Sequence, residues 1–593
     1  MSVNRDLADL FRTAAAILDI RGEPVFKSIA FSKVSRVLES LTDDVRKLVE
    51  SDRLKDIPGI GASSRKMIED YVRTGSSPDF ESLRKTIPEG LIRLLDVPSL
   101  GPKTIALLWK ERQVTGLDEL KQAIAQGKLV GLKGLGEKRI EAIRQGIEQL
   151  SRSSGRLGLA EAYPAARMLA DAVRGMPGVL AVEAAGSLRR RRETVGDIDL
   201  LASIADDSPA VAEHLCQAFT RLPEVERVLA CGNTKASIVT SGTLQVDLRI
   251  VPERHFGAAL LYFTGSKDHN VRLRSRAQDR GWTLNEWGLY RSTEWQSAPR
   301  KPGEAPSLEA VASRHEIDVY RALDLPFIEP ELREDHGEIE LAEKNALPKL
   351  ITADDLRGDL HTHTTASDGT NSIEQMAEAA RQLGYEYLAI TDHSQSQVVA
   401  NGLSPRRLLQ HVEQIRKTSS KIKGITLLAG AEVDILADGH LDYDDEVLRE
   451  LDWVVASPHT ALRQDERKAT DRLLRAIDNR FVNVIGHPTG RLIGGRDGLT
   501  LDLDRLFHAC VQTGTALEIN SGWPRLDLRD VHARGAIEAG VMLAINTDAH
   551  AIDHLHARWL GIGVARRAGV EAKHVLNCRS LSGLRDWIAR KRR

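Results

Sequence analysis

The chain has 593 residues, 42% of them apolar, with 82 Lys and Arg against 84 Asp and Glu for a net charge of −2. This excludes a disordered polyelectrolyte and describes an ordinary soluble globular protein, too long for one apolar core and expected to form about three to five domains. No run of about eighteen apolar residues marks a membrane span, and the amphipathic start does not read as a signal peptide.

Four scattered cysteines without C-x-x-C spacing argue against a disulfide framework or a structural zinc site, so a reducing cytoplasm is expected. Basic residues exceed acidic ones by 4 over residues 1–325 and fall short by 6 over 326–593. The acidic half also carries most of the histidines, which suits a site that collects cations.

Residues 1–150 are helical in pattern and contain an internal repeat: "DIPGIGASSRKMIEDYV" (56–72), "DVPSLGPKTIALLWKE" (96–111) and "GLKGLGEKRIEAIRQGI" (131–147). In each, a short glycine-containing hairpin leads into a second helix whose free N–H groups can face a phosphate. The layout resembles the helix-hairpin-helix motif, which holds DNA backbone without reading bases. One copy would read as well as a ligand-free αα-hairpin; three copies favour DNA. The candidate contacts are Gly59, Gly61, Gly101, Gly134 and Gly136, and the middle copy departs from the pattern with Ser99 in place of a glycine.

Next comes "AAGSLRRRRETVGDIDLLASI" (184–204). Its end predicts a strand, which puts Asp197 and Asp199 on one face. A later strand-like run, "LQVDLRIV" (244–251), carries Asp247 among apolar residues, costly to bury without a cationic partner. Three carboxylates on adjacent strands can hold two Mg²⁺ or Mn²⁺ ions, one activating a 3′-hydroxyl and one neutralising a leaving pyrophosphate. The Gly186–Ser187 turn offers backbone donors to a triphosphate, backed by Arg189, Arg190, Arg191 and Arg192. An isolated D-x-D is weak evidence, since such residues are often exposed loop carboxylates; with G-S, the arginine run and the third aspartate it is specific.

On these residues the first half resembles the family X DNA polymerases of the nucleotidyltransferase superfamily, and "LLYFTGSKDHNVRLRSRAQDRGWTLNEWGL" (260–289) is similar to that family's thumb. The resemblance implies Asp197, Asp199 and Asp247 as catalytic metal ligands. It implies triphosphate contacts from Gly186, Ser187, Arg190 and Gly196, with Arg156 as a further candidate. Tyr262, Phe263 and Gly265 would pack along the sugar, Asn270 would reach the base edge and Arg274 the template strand. The family's eukaryotic members use a Schiff-base lysine in the first helix-hairpin-helix domain; here that position reads as Met67, so lyase activity of that type is not expected.

The acidic, proline-punctuated segment 323–360 reads as a linker, and beyond it apolar runs alternate with amphipathic helices in the manner of βα units. "GDLHTHTTASDGT" (358–370) brings His361, His363 and Asp368; His393, Glu432, His459, His487, Asp548 and His550 lie at or just past the ends of later apolar runs. Any one of these histidines reads as a buried structural residue. Nine such groups at one barrel mouth call for metal, three ions with some ligands shared, and imidazole with carboxylate favours Mn²⁺ or Zn²⁺.

Residues 353–593 resemble the PHP (polymerase and histidinol phosphatase) domain, a distorted (β/α)7 barrel. In bacterial relatives that implies 3′–5′ exonuclease activity and leaves AP endonuclease or 3′-phosphatase action open beside it. Arg491 and Arg525 are candidates to steady substrate phosphates.

The expected fold is therefore multidomain. An N-terminal helical domain spans 1–85, helix-hairpin-helix fingers 86–155, an α+β nucleotidyltransferase palm 156–255, a thumb 256–325, a linker 326–352 and the barrel 353–593. The expected partners are gapped or primer–template DNA and deoxynucleoside triphosphates. No membrane, a monomeric state, and a cytoplasmic, nucleoid-associated location are also expected. Two other readings stand beside this one: a nuclease whose palm is only a DNA platform, and a polymerase fused to a hydrolase of small phosphate esters.

Overall fold

Glycine-ended turns break the apolar periodicity of the first 150 residues, and each is where a helix begins. The computed structural model describes residues 3–40, 45–57, 59–97, 100–129, 132, 135–136, 139–140, 143–144, 147, 156–205, 209–240, 244–298 and 307–592. They fall into two compact units, 1–154 and 155–593. In the first unit, Gly61 is the extended N-cap of helix α1 (Ala62–Thr74) and Gly101 that of α2 (Pro102–Arg112). Gly136 plays the same part before Arg139 and Ile140, whose N–H groups both donate to its carbonyl. Two apolar clusters hold this unit, one around Leu7, Phe11, Val34 and Met67, the other around Leu91, Ile105, Leu108 and Ile143. Met67 is thus a core side chain, as its apolar character requires.

The two larger sheets of the second unit are of different kinds. The first has five strands: β1 (Val179–Ala184), β2 (Ile198–Ile204), β3 (Val225–Cys231), β4 (Lys235–Thr240) and β5 (Gln245–Pro252), in the order β1-β2-β5-β4-β3. The central β2–β5 pair is parallel and the others antiparallel. Helix α3 (Leu159–Arg174) packs its buried stripe of Ala162, Ala166, Leu169 and Val173 on this sheet.

The second sheet has seven parallel strands in sequence order: β6 (Gly358–Asp359), β7 (Tyr387–Ile390), β8 (Thr426–Asp434), β9 (Trp453–Ser457), β10 (Val484–Ile485), β11 (Ala516–Asn520) and β12 (Leu543–Asn546). A parallel bridge between Thr362 and Ala549, just past the first and last strands, closes it at its C-terminal end. Parallel strands with helices around them are buried on both faces, which is why these runs read as continuously apolar.

The two sheets are not independent bodies. One apolar cluster runs from Leu159 and Val195 through to Leu526, Leu560 and Val564. Trp523 packs on Gly158, where a Cβ would lie 2.0 Å from the indole, and Trp559 stacks on Tyr163 at 4.8 Å between centroids. Arg567, 4% exposed, donates to Asp530 at 2.8 Å, to Glu334 at 2.9 Å and to the Arg190 carbonyl at 2.8 Å.

The segment expected as a linker is packed as well. Arg333 is fully buried, paired with Glu316 at 2.7 Å and set over the rings of Tyr320 and Phe327, while Glu331 accepts from Arg566 at 2.7 Å. Its acids Glu331 and Glu334 thus face Arg566 and the buried Arg567.

Arg567→Ala strands two carboxylates and is expected to destabilise the second unit by about 3 kcal/mol, read by chemical denaturation. Calorimetry of the full chain should show palm and barrel melting in one transition; two separate ones would contradict the shared core.

Candidate active sites

All nine predicted ligand residues converge at the C-terminal mouth of the seven-stranded barrel. Glu432, in β8, is the hub: its carboxylate lies 3.3 Å from His361, 2.8 Å from His393, 3.2 Å from His459 and 2.9 Å from His487. Asp548 sits 3.0 Å from His363 and 3.5 Å from His361, while Asp368 lies 3.5 Å from His393 and 3.4 Å from His550. Three overlapping groups each have their donor atoms within 4.8 Å of one another. They are His363 with Asp368, His393 and His550; His361 with His363, Glu432 and Asp548; and His393 with Glu432 and His459.

Buried atoms with no hydrogen-bond partner mark where a cation fits. They are His361 Nε2, both ring nitrogens of His363, His393 Nδ1, His487 Nδ1, Glu432 Oε2 and Asp548 Oδ1. Leaving this many buried polar atoms unsatisfied is unfavourable, and coordination satisfies them together.

The electrostatics agree. Burial, then the imidazoles of His550 and His393, push His363 down to about 4, so it is a neutral ligand. Burial disfavours charge on His361 and His393, but the carboxylates Glu518, Glu432 and Asp548 around the first and Glu432 and Asp368 around the second outweigh it and raise both. Glu432 and Asp548 are raised by burial and lowered far more by the surrounding histidines. The mouth therefore draws in positive charge, and a divalent ion supplies it without a proton.

Several bracing residues escape sequence reasoning. Glu518 accepts from His361 Nδ1 at 2.8 Å and from the His487 N–H at 2.7 Å; Asp434 holds His459 Nδ1 at 2.5 Å. Asp392 ties the 361–368 loop through Thr364 and Ser367, and Asp527 accepts the Thr489 and Gly490 N–H groups beside His487. Glu518 and Asp434 were accessible to the signal that singles out Asp247 and Glu432, a carboxylate inside an apolar strand. Arg525 stands 3.9 Å from Asp548, whereas Arg491 is committed to Glu193 at 3.1 Å and to the Leu526 carbonyl.

The second carboxylate cluster lies on the five-stranded sheet. Parallel pairing sets Asp199 of β2 directly beside Asp247 of β5, with Asp197 just before β2. Burial and then the charges of Asp197 and Asp247 raise Asp199 to about 6. Burial also pushes Asp247 up, but Lys235 at 2.5 Å, with Gln245 and Ser237, brings it below its ordinary value. This pair of environments suits divalent cations. Gly186, at φ +62°, lets the chain pass against Asp199, since a Cβ there would lie 2.5 Å from the carboxylate. Ser187 follows it at the start of the short helix Gly186–Arg189.

The predicted nucleotide contacts are divided. Arg156 bonds Thr194 at 3.0 Å and lies against Gly196. Tyr262 is 37% exposed and meets Phe263 edge-on at 5.1 Å, and Gly265 ends their helix. Asn270 donates to the Tyr262 carbonyl at 2.7 Å and Arg274 to the Asn270 carbonyl at 3.3 Å.

The arginine run is mostly structural. Arg189 is bound to Glu316, Arg190 to Glu334 at 3.1 Å and the Thr264 carbonyl, and Arg191 lies over Tyr163 at 4.6 Å. Arg192 is the more exposed member, 3.7 Å from Glu334. In the first unit, a Cβ at Gly61, Gly101 or Gly136 would meet nothing within 4 Å, leaving these helix starts open, whereas Gly59, at φ +98°, faces Lys33. Gly134 and Ser99 lie outside the described residues.

Three family models match: a helix-hairpin-helix domain over residues 2–77, the DNA polymerase beta thumb over 259–334 and the PHP domain over 359–522. The DNA polymerase/3′–5′ exonuclease PolX of Bacillus subtilis is 41% identical over 589 residues, 99% of either chain. A probable phosphatase of Thermoanaerobacter is 28% identical over 40% of this chain and 95% of its own length. DNA polymerase lambda of Arabidopsis thaliana is 24% identical over 56% of this chain and 62% of its own.

If the barrel mouth is a metal site, Mn²⁺ or Zn²⁺ should raise the unfolding temperature of the full chain. Glu518→Gln, which removes the carboxylate that braces His361 and His487, should weaken binding about 10–100-fold in a metal titration, and an unchanged affinity would count against that role.

Proposed function

The chain belongs to the family X DNA polymerases that carry a C-terminal PHP domain, and from that membership we propose how its two carboxylate clusters divide the work. It is a DNA polymerase and 3′–5′ exonuclease of the gap-filling repair type, dependent on divalent metal. Asp197, Asp199 and Asp247 serve the polymerase and hold Mg²⁺ or Mn²⁺. When bound, such ions supply Lewis acidity to the triphosphate and the primer terminus. The Gly186–Ser187 backbone and Arg156 face the triphosphate, and Tyr262 and Phe263 form the platform for its sugar. Arg190 reaches the triphosphate only by releasing Glu334.

The nine barrel residues would serve the exonuclease by holding Mn²⁺ or Zn²⁺, three ions in number. Glu518 and Asp434 fix the imidazole tautomers, and Arg525 meets a non-bridging phosphate oxygen. AP endonuclease or 3′-phosphatase action would use the same site. The open helix starts at Gly61, Gly101 and Gly136, with Gly59 and, by its place in the sequence repeat, Gly134, hold the sugar–phosphate backbone of gapped or primer–template DNA.

The expected domain limits are proposed as a division of labour, with the chain acting as a monomer in the cytoplasm, at the nucleoid. Among the described residues no helix is long and apolar enough to cross a membrane.

One observation carries the assignment: the chain has two separate sets of carboxylates, each needing cations, on two different sheets. The alternative, a nuclease whose palm only binds DNA, is disfavoured by the intact trio Asp197, Asp199 and Asp247.

Asp247→Ala should lower primer extension at least about 10³-fold while exonuclease activity persists, and His361→Ala or Asp548→Ala should do the reverse. No extension by the wild type with Mg²⁺ or Mn²⁺ would establish the alternative instead.

A further inference from the structure

A cleft of about 660 Å³ opens beside the barrel metal site, and its walls come from both halves of the second unit. It is lined by the candidate ligands Asp548 and His550, by Arg525 and by the indoles of Trp523 and Trp559. The polymerase half lines it too, through Ala160 and Pro164 of α3, one helical turn apart on the same face. Both indoles are fixed by that half as well, Trp523 against Gly158 and Trp559 against Tyr163.

We propose that this cleft seats the 3′-terminal nucleoside of an unpaired DNA end, and that the polymerase helix α3 supplies one wall of the exonuclease pocket. The inference rests on the barrel being the exonuclease and names the subsite that recognises what is cut. Three features support it. The cleft meets the metal ligands, where the scissile phosphate must lie, so whatever is attached to that phosphate enters the cleft. Its volume falls in the range of pockets that enclose one small molecule, which fits a single nucleoside and not a stacked duplex end. Indoles offer a surface to which any of the four bases can stack, so the slot distinguishes a base from no base without reading sequence. Arg525 places positive charge where the adjoining phosphate runs.

The test compares kcat/KM for removal of a normal 3′ nucleotide with that for a 3′-terminal abasic sugar on the same single strand. The full-length wild type should prefer the nucleotide end by about 10-fold or more, the scale of one base–aromatic stack. Trp523→Ala should bring that ratio toward one, and Trp523→Phe should leave an intermediate value. Ala160→Phe fills the slot from the polymerase side and should also collapse the ratio. Retained primer extension reports an intact fold in each variant, and Ala160→Phe carries the test if Trp523→Ala fails to fold.

Equal removal of both ends by the wild type, or a ratio untouched by Trp523→Ala and Ala160→Phe, overturns the inference alone. Removal of neither end by a wild type that extends primers overturns the exonuclease reading and this inference with it.

Discussion

Burying ionised groups is the constraint on which most of this molecule depends. An isolated buried charge is unfavourable by several kcal/mol, so each must meet an opposite one or a metal. At the junction of palm, thumb and barrel the partners are arginines: Arg333 on Glu316, Arg566 on Glu331, and Arg567 on Asp530 and Glu334. At the barrel mouth Arg525 stands 3.9 Å from Asp548, and buried atoms of His361, His363, His393, His487, Glu432 and Asp548 lack hydrogen-bond partners. The contrast distinguishes charges that hold elements together from charges that await a cation.

The palm lies between these two cases. Lys235 neutralises Asp247, while Asp199 has no equally close cation and holds its proton to about pH 6. A trio with one carboxylate paired and another reluctant to ionise is incompletely compensated. Asp197, Asp199 and Asp247 would hold divalent ions that complete this compensation.

Much of this was legible in the sequence. Period-2 and apolar-run patterns located β2, β5 and most barrel strands, and the spacing of His361, His363 and Asp368 placed three ligands on one loop. The candidate ligands stood out because each is a polar residue at or just past the end of an apolar run. Contacts between distant segments were not readable. "RRRR" suggested phosphate binding, yet Arg189, Arg190 and Arg191 turn to Glu316, Glu334 and Tyr163, partners as far as 144 residues away. The 326–352 segment reads as a linker, and nothing in its sequence announces that Glu331 meets Arg566 and Glu334 meets Arg567. Arg491, read as a phosphate contact, bonds a glutamate 298 residues earlier.

That last pair links two loops. Arg491 follows His487 by four residues on the barrel, and Glu193 precedes Asp197 by four in the palm. With the Leu526 carbonyl it forms a short strut from one catalytic loop to the other. The two halves are therefore matched parts: a chimera joining this barrel to a foreign palm must bring Glu193, Gly158 and Tyr163 across with it, or both loops lose their common brace.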